Sequence, residues 1–164
     1  MNLRTTALLV ASALLLSGCA TLGAQYSAAG AAPPNRATVY VYRPGAMAPA
    51  VSPTVSANGV PLVELPAHGY FVYYAAPGEL ELAEHTEAKT SVTLDVKAGE
   101  TYYVQGTVGM GFFVGHPHLV LVDKDTGEKE IKDCKLVPAT VPTAETVAAG
   151  PPPAGTSPAT AAKK

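Results

Sequence analysis

Two histidines separated by one residue, His116 and His118, are the pair best suited to hold a metal ion. Residues i and i+2 of an extended chain project to the same side, so both imidazoles could reach one ion. A metal site needs a third and usually a fourth ligand. His68, His85 and Asp123 are candidate donors, but nothing in their spacing selects any of them. Histidines on an exposed loop without a metal are therefore the favoured interpretation, and we expect no cofactor.

The sequence carries none of the common catalytic motifs. It has no Gly-x-Ser-x-Gly nucleophile turn and no His-Glu-x-x-His zinc motif. The glycines of residues 106–115 do not run from a strand into a helix, as a phosphate-binding loop does. Asp123, Asp125 and Gly127 match half of a calcium loop, but position twelve is Cys134 instead of a glutamate. We therefore expect no catalytic residue and no enzyme activity, and a hairpin turn at Asp123.

Cys19 follows the pattern of a processed and modified cysteine. An apolar run, Ala7 to Leu16, follows the single cation Arg4, as in a secretory signal peptide. The run is too short for a membrane span, which needs roughly 20 apolar residues. The ending Leu16-Ser17-Gly18-Cys19 resembles the lipobox of bacterial lipoproteins. That resemblance implies removal of residues 1–18 and acylation of Cys19, which would then sit in a membrane leaflet. An ordinary signal peptide with an incidental cysteine is the alternative.

Further details bear on location and partners. Ala20 follows the cysteine where Asp is the usual inner-membrane retention signal, so the resemblance implies an outer-membrane protein facing the periplasm. The formal net charge is −2, so no basic face is available for nucleic acid.

With Cys19 acylated, Cys134 has no partner in the chain. We expect it to be a buried, inert thiol in the last strand. An intermolecular disulfide or a reactive thiol are the alternatives.

Composition divides the mature chain into three parts. Residues 19–36 are rich in Ala, Gly, Ser and Pro, which predicts a lipid anchor followed by a flexible linker. Residues 37–137 have the pattern of one folded domain. Residues 138–164 return to Pro, Ala and Thr and have too little apolar bulk to order, so they predict a disordered tail. Such a tail could thread into peptidoglycan.

Within the folded part the hydrophobic period is two. Residues 38–43 are β-branched and aromatic throughout, which fits a strand buried on both faces. Asn58-Gly59 lies between two strand-like runs and predicts a hairpin with a type I′ turn. The loop at residues 123–127 is predicted to lead into a strand over residues 128–136. No helical pattern of ten or more residues is present. These features predict an all-β fold, a single antiparallel β-sandwich of eight or nine short strands.

A second resemblance covers the folded part. It rests on turn and strand residues: Val39-Tyr40-Val41-Tyr42-Arg43-Pro44, Asn58-Gly59, Leu65, Gly69-Tyr70, Pro77-Gly78, Gly99 and Tyr102-Tyr103-Val104. Together they resemble a family of short bacterial lipoproteins that carry a domain of unknown function. The segment 58–96 is also similar to small sandwich modules of the PEGA type. Neither resemblance implies a catalytic residue or a binding site.

The tyrosines are candidates for a contact surface. Adjacent pairs such as Tyr73-Tyr74 and Tyr102-Tyr103 send one ring to each face of a regular strand. Exposed aromatic residues often mark binding surfaces, so Tyr42, Tyr74, Tyr103 and Phe113 are the candidate contacts with a partner. Core and cross-strand packing of such rings is the favoured interpretation.

The sequence therefore predicts a membrane-anchored lipoprotein that acts as a binding or scaffolding module of the cell envelope, with an envelope protein or peptidoglycan as partner. Its contact surface would be the tyrosines or an exposed strand edge. The alternative is a small-ligand or metal-binding lipoprotein that uses the loop from Gly109 to His118.

Overall fold

The computed structural model describes residues 22–110 and 115–138. Residues 1–21, with the predicted signal peptide and Cys19, residues 111–114, with Phe113, and residues 139–164, predicted as a tail, lie outside the described residues. The described part contains nine strands, one α-helix and one short 3-10 helix: β1 Ala37–Tyr42, β2 Thr54–Ala57, β3 Val60–Glu64, β4 Gly69–Ala75, β5 Gly78–His85, β6 Lys89–Val96, β7 Thr101–Met110, β8 Gly115–Val122, α1 Lys124–Glu130, the 3-10 helix Ile131–Asp133 and β9 Lys135–Leu136.

The strands form two sheets, which confirms the predicted all-β sandwich. One sheet has the order β8-β7-β1-β4-β9 and the other has the order β3-β2-β5-β6. The sequence predicted purely antiparallel pairing. The sheets differ from this, because β1 pairs with β7 and β4 pairs with β9 in parallel. Between β1 and β7 the chain crosses to the second sheet and back twice, which gives the long connection that a parallel pair needs.

The central strand β1 is buried on both faces, as its sequence predicts. Val39 and Val41 point into the core between the two sheets. Tyr40 and Tyr42 point to the outer face of the five-stranded sheet, where a second apolar cluster forms. Each fully buried side chain of this size contributes roughly 1.5–3 kcal/mol to folding. Two separate clusters thus hold β1 in the middle of the molecule.

The predicted hairpin at Asn58-Gly59 is confirmed. Asn58 has φ 47° and Gly59 has φ 81°, the positive values that a type I′ turn requires. The flanking residues Ala57 and Val60 are directly paired. The Oδ1 atom of Asn58 also accepts a 2.8 Å hydrogen bond from the backbone of Glu81, so the turn is fastened to β5.

The prediction of a hairpin loop followed by a strand over residues 128–136 was wrong. Helix α1 and the 3-10 helix occupy most of that stretch, and β9 has only two residues. Asp123 caps the helix, because its carboxylate accepts two hydrogen bonds from Thr126. The backbone N–H of Thr126 donates at 3.0 Å and the Thr126 hydroxyl donates at 2.7 Å. The same aspartate that suggested a turn therefore starts a helix.

The N-terminal segment also differs from the prediction of a flexible linker. Residues 22–36 lie against the domain. The N–H of Gly23 donates to the carbonyl of Leu136 at 2.7 Å, and the N–H of Tyr26 donates to the carbonyl of Cys134 at 2.9 Å. β9 is the edge strand of its sheet, so its outer backbone groups are free to pair with this segment. Across the described parts of the chain, no helix combines the length and the apolar character that crossing a bilayer requires.

Candidate functional site

Two of the tyrosines predicted to contact a partner are buried. Tyr42 is 0% exposed and Tyr103 is 3% exposed, so the prediction that they form a surface was wrong. The cause is the helix that the sequence did not reveal: α1 and the 3-10 helix cover the outer face of the five-stranded sheet. The hydroxyl of Tyr42 donates to Oε2 of Glu130 at 2.8 Å, and Nε2 of Gln105 donates to the same oxygen at 2.6 Å.

The remaining aromatic candidates lie elsewhere. Tyr74 is half-buried on the outer face of β4, whereas its neighbour Tyr73 lies in the core between the sheets. The prediction that adjacent rings point to opposite faces is thus confirmed. Phe113 lies outside the described residues. No exposed tyrosine platform is present in the part of the chain that the structure describes.

The buried hydroxyl and thiol groups next to α1 are not suited to proton transfer. Burial and the neighbouring Glu130 carboxylate raise the pKa of Tyr42. Burial raises the pKa of Tyr26 and of Cys134 to about 12 each. Cys134 is fully buried, as predicted, although it lies just before β9. A thiol with so high a pKa stays protonated, so it is a poor nucleophile and metal ligand.

The two candidate metal ligands lie on the edge strand β8. His116 and His118 are exposed and stand opposite Gly109 and Thr107 of β7. They border a shallow groove of about 480 Å³ that β6 closes with Lys89. Within residues 22–110 and 115–138, no group of three or more His, Cys, Asp or Glu side chains is arranged to hold a metal ion.

The candidate third ligands lie on other elements of the fold. Asp123 caps α1. His68 lies in a turn with φ 57°, and its backbone bonds to Arg43 and Lys135. His85 ends β5, where it pairs with Lys89.

The buried glutamate Glu84 is the main feature of the core that the sequence did not predict. Glu84 is 0% exposed, and neither of its carboxyl oxygens has a hydrogen-bond partner among the described residues. It points into the space left by Gly106, because a Cβ atom at that glycine would lie 2.5 Å from Oε1 of Glu84. Leu65 also borders this space. An unpaired polar group in such a place costs free energy, so it is an unusual feature of a core.

A buried arginine lies at the end of β1. Arg43 is almost fully buried and uses its guanidinium to hold the following loop. Nη1 donates to the carbonyl of Val51, and Nη2 donates to those of Met47 and, at 3.0 Å, Ala48. These bonds satisfy the buried charge and fix the loop that leads from β1 to β2.

The two buried charges influence each other without contact. The ion pairs among the described residues join Lys89 with Glu81 and Lys124 with Glu128, so Arg43 and Glu84 form none. Burial raises the pKa of Glu84 to about 8, and the positive charge of Arg43 opposes that rise. Burial lowers the pKa of Arg43, and Glu84 opposes that change. Glu84 is therefore mostly protonated at neutral pH.

A cavity of about 320 Å³ lies beside these residues. Arg43, Met47, Gly106, Gly109 and His118 line it, together with Gly45, Thr107 and Val108. The lining is mainly apolar, with a guanidinium and an imidazole as its ionisable groups. Such a cavity has the size of a small-ligand site.

Strand alternation contains the signal that would have located both charges. Val39, Val41 and Arg43 share one phase, and so do Leu80, Leu82 and Glu84. The apolar members of each set lie in the core. Alternate residues of a strand face the same side, so the next residue in each set, Arg43 or Glu84, also faces the core.

These observations define a small two-sheet β-sandwich with a covered tyrosine face and a buried, unpaired carboxyl group. A family model described as "Protein of unknown function (DUF2846)" matches residues 33–116, slightly more than half of the 164 residues, and the chain belongs to this family. The match contains Arg43, Glu84 and Gly106, and it confirms the expected domain of unknown function. Comparisons with curated proteins and with solved structures find no match.

Proposed function

We propose that this protein is a lipoprotein, anchored through Cys19 in the outer membrane and facing the periplasm, that acts as a non-enzymatic binding or scaffolding module of the cell envelope. The sequence Leu16-Ser17-Gly18-Cys19 after a short apolar run supports the anchor. The membrane is then one partner, and an envelope protein or peptidoglycan is the other. The proposal assigns the protein no catalytic residue and no cofactor.

The observation that carries the binding role is the exposed end of the edge strand β8. Val120 and Leu121 are neighbours and are 51% and 45% exposed. They stand opposite Gln105 and Val104 of β7, on the two faces of the strand. The beginning of β8 is shielded, because Lys89 and Thr90 of β6 lie beside His116–His118. Edge strands with exposed apolar side chains are suited to contact a partner by strand addition.

Photo-cross-linking in intact cells tests the binding surface. A photoreactive residue at Val120 should give one discrete adduct, either with an envelope protein or with peptidoglycan. The matched control is Val60, an apolar residue of similar exposure (45%) on β3 of the other sheet. We expect no discrete adduct there. Adducts at Val60 alone, or at neither position, would contradict the assignment of the contact surface to β8.

The anchor is tested separately by Cys19→Ser. The variant should lose metabolic labelling with fatty acid and remain as the unprocessed precursor, because the lipidated residue is gone. Val120→Ser should keep its lipid, since the change lies in the folded domain. Lipid labelling that persists in Cys19→Ser would refute the anchor.

A second candidate function is small-ligand or metal binding at Gly109–His118. The cavity beside Arg43 and His118 favours it, because both the cavity and the groove on β8 include Gly109 and His118. Titration of the lipid-free chain with Zn²⁺ tests the metal form of this idea. Binding should fall in His116→Ala and in His118→Ala. Absent binding, or binding that both variants retain, would reject it.

A further inference from the structure

The N-terminal segment behaves as an additional edge of the five-stranded sheet. Besides the bond from Gly23, the N–H of Leu136 donates to the carbonyl of Ala24 at 2.8 Å. Gln25 forms an antiparallel bridge with Lys135, and its side chain donates to the carbonyl of Lys132. Residues 23–26 thus run alongside β9 with regular backbone pairing.

Side chains fix this segment as well. Leu22 packs against the core between the sheets. The ring of Tyr26 meets the rings of Tyr40 and Tyr70 edge-on, with centroids 5.8 and 5.3 Å apart. The N–H of Ala29 donates to the hydroxyl of Tyr40 at 2.8 Å. Edge-on aromatic pairs of this kind are attractive beyond the area that they bury.

Chain length then limits how far the domain can stand from its anchor. Ala20 and Thr21 separate Cys19 from Leu22. Three Cα–Cα steps of about 3.8 Å span at most about 11 Å. A free linker up to Arg36 would instead allow roughly 60 Å at about 3.5 Å per residue. A lipid on Cys19, which is part of the proposed function, therefore brings the β9 edge close to the headgroups.

The chemistry of this edge suits an anionic lipid surface. Leu136 is 39% exposed, and Lys129, Lys132 and Lys135, which precede it by one to seven residues, are exposed. Asp133 is the exposed acid in this group. Of the acids on α1, Asp125 is exposed in the first turn, Glu128 pairs with Lys124 at 3.6 Å, and Glu130 accepts from Tyr42 and Gln105. A lysine close to an anionic membrane contributes about 1 kcal/mol.

We propose that the β9 edge, with residues 23–26 docked on it, rests on anionic phospholipid headgroups and holds the domain in one orientation on the membrane. This proposal rests on the lipid anchor of the proposed function. It places β8 at the far side of the sheet, four strand spacings or about 19 Å from β9. The membrane contact and the proposed partner contact then occupy opposite edges.

The test uses the full lipidated chain in vesicles of phosphatidylethanolamine and phosphatidylglycerol. A photoreactive residue at Leu136 should form adducts with phospholipid. The same residue at Val120, also exposed and apolar but on the opposite edge, is the matched control and should give at least fivefold less lipid adduct. Equal yields at the two positions, or no lipid adduct at Leu136, would overturn the proposal.

Charge variants test the headgroup contact. Lys132→Glu should lower the lipid adduct at Leu136 about fivefold, the factor that corresponds to about 1 kcal/mol. Lys97→Glu makes the same charge change at an exposed residue just after β6 and should leave the yield unchanged. An equal loss in both variants would show a general charge effect and would contradict a specific surface.

Failure of the anchor can be told apart from failure of the orientation. The intact mass of the purified chain shows whether Cys19 carries acyl groups. If Cys19 carries no acyl groups, a chain that begins at Cys19 can be coupled to a maleimide lipid through the Cys19 thiol. Cys134 will not compete for the maleimide, because it is fully buried. The comparison of Leu136 with Val120 then still decides the orientation.

Discussion

Glu84 links the stability of the fold to pH. Its pKa is raised from 4.5 to about 8 by burial. Between these two values the folded chain holds a proton that the unfolded chain has released. Stability therefore falls as pH rises through this window, by about 1.4 kcal/mol per pH unit, and the loss is complete above pH 8. The direction is opposite to that of a carboxylate held by a cation.

Replacing Glu84 by Gln should remove this pH dependence. An amide of the same shape does not ionise, so the free energy of unfolding of Glu84→Gln should rise relative to wild type from pH 5 to pH 8 by a few kcal/mol. Urea titrations at pH 5, 6.5 and 8 measure the difference. Glu81→Gln, on the same strand but partly exposed, is the control and should show little change. A constant difference between Glu84→Gln and wild type would contradict a buried, protonated carboxyl.

Gly106 lies so close to Glu84 that the Glu84 side chain occupies the space where a side chain at residue 106 would be. An added methyl group would lie 2.5 Å from Oε1 of Glu84, so Gly106→Ala should destabilise the fold by about 1–3 kcal/mol. In the background of Glu84→Ala the same change should cost clearly less, because the clashing oxygen is absent. Denaturation of the two single variants and the double variant gives the coupling free energy. Additive effects would show that the two residues do not share one site.

At the scale of elements, α1 determines what the tyrosines do. Gly127 faces the sheet, and a Cβ atom there would lie 2.3 Å from Cγ of Tyr103. Helix and ring therefore touch directly. Tyr103 in turn stacks on Tyr40 with centroids 5.1 Å apart. The close approach of the helix converts a tyrosine-rich surface into a second core.

Gly127→Ala should push α1 away from the sheet. We expect a loss of about 1–3 kcal/mol in the free energy of unfolding, although alanine favours helices more than glycine does. Urea denaturation, followed by tyrosine fluorescence, measures both stability and ring exposure. Gly30→Ala is the control, because nothing lies within 4 Å of its added atom. Equal or greater stability of Gly127→Ala would show that the helix does not press on Tyr103.

The elements differ in how far the sequence could predict them. β1, the turn at Asn58-Gly59 and the burial of Leu80 and Leu82 follow from alternation and turn chemistry, which are local. Helix α1 has seven residues, fewer than two full turns of hydrophobic pattern, so its periodicity cannot be recognised. The burial of Tyr42 and Tyr103 depends on that helix. Their prediction as a surface failed because the covering element is distant in sequence.

At the scale of the whole molecule, the two edges of the five-stranded sheet carry different groups. Its β9 edge carries the docked N-terminal segment, Leu136 and exposed lysines. Its β8 edge carries Val120 and Leu121. In the proposed orientation, a domain fixed by one edge to the membrane would present the other edge to a partner without the entropy of a long tether. Binding a partner at β8 then costs less ordering than it would for a freely swinging domain.

Docking of the N-terminal segment should depend on Tyr26. In Tyr26→Ala the edge-on contacts with Tyr40 and Tyr70 are lost, so residues 23–29 should detach more often. Hydrogen exchange of the Gly23, Tyr26 and Ala29 amides should accelerate tenfold or more, since about 1.4 kcal/mol corresponds to a factor of ten.

The amide of Asn58, which donates to the carbonyl of Glu81 at 2.8 Å, is an internal control and should keep its exchange rate. Faster exchange at Asn58 as well would indicate global destabilisation. Unchanged exchange at Gly23 and Tyr26 would show that backbone pairing with β9 alone holds the segment. If exchange accelerates in the N-terminal segment alone, the lipidated variant should also give less lipid adduct at Leu136. The reason is that a detached segment adds up to seven residues to the tether and lengthens it by roughly 25 Å.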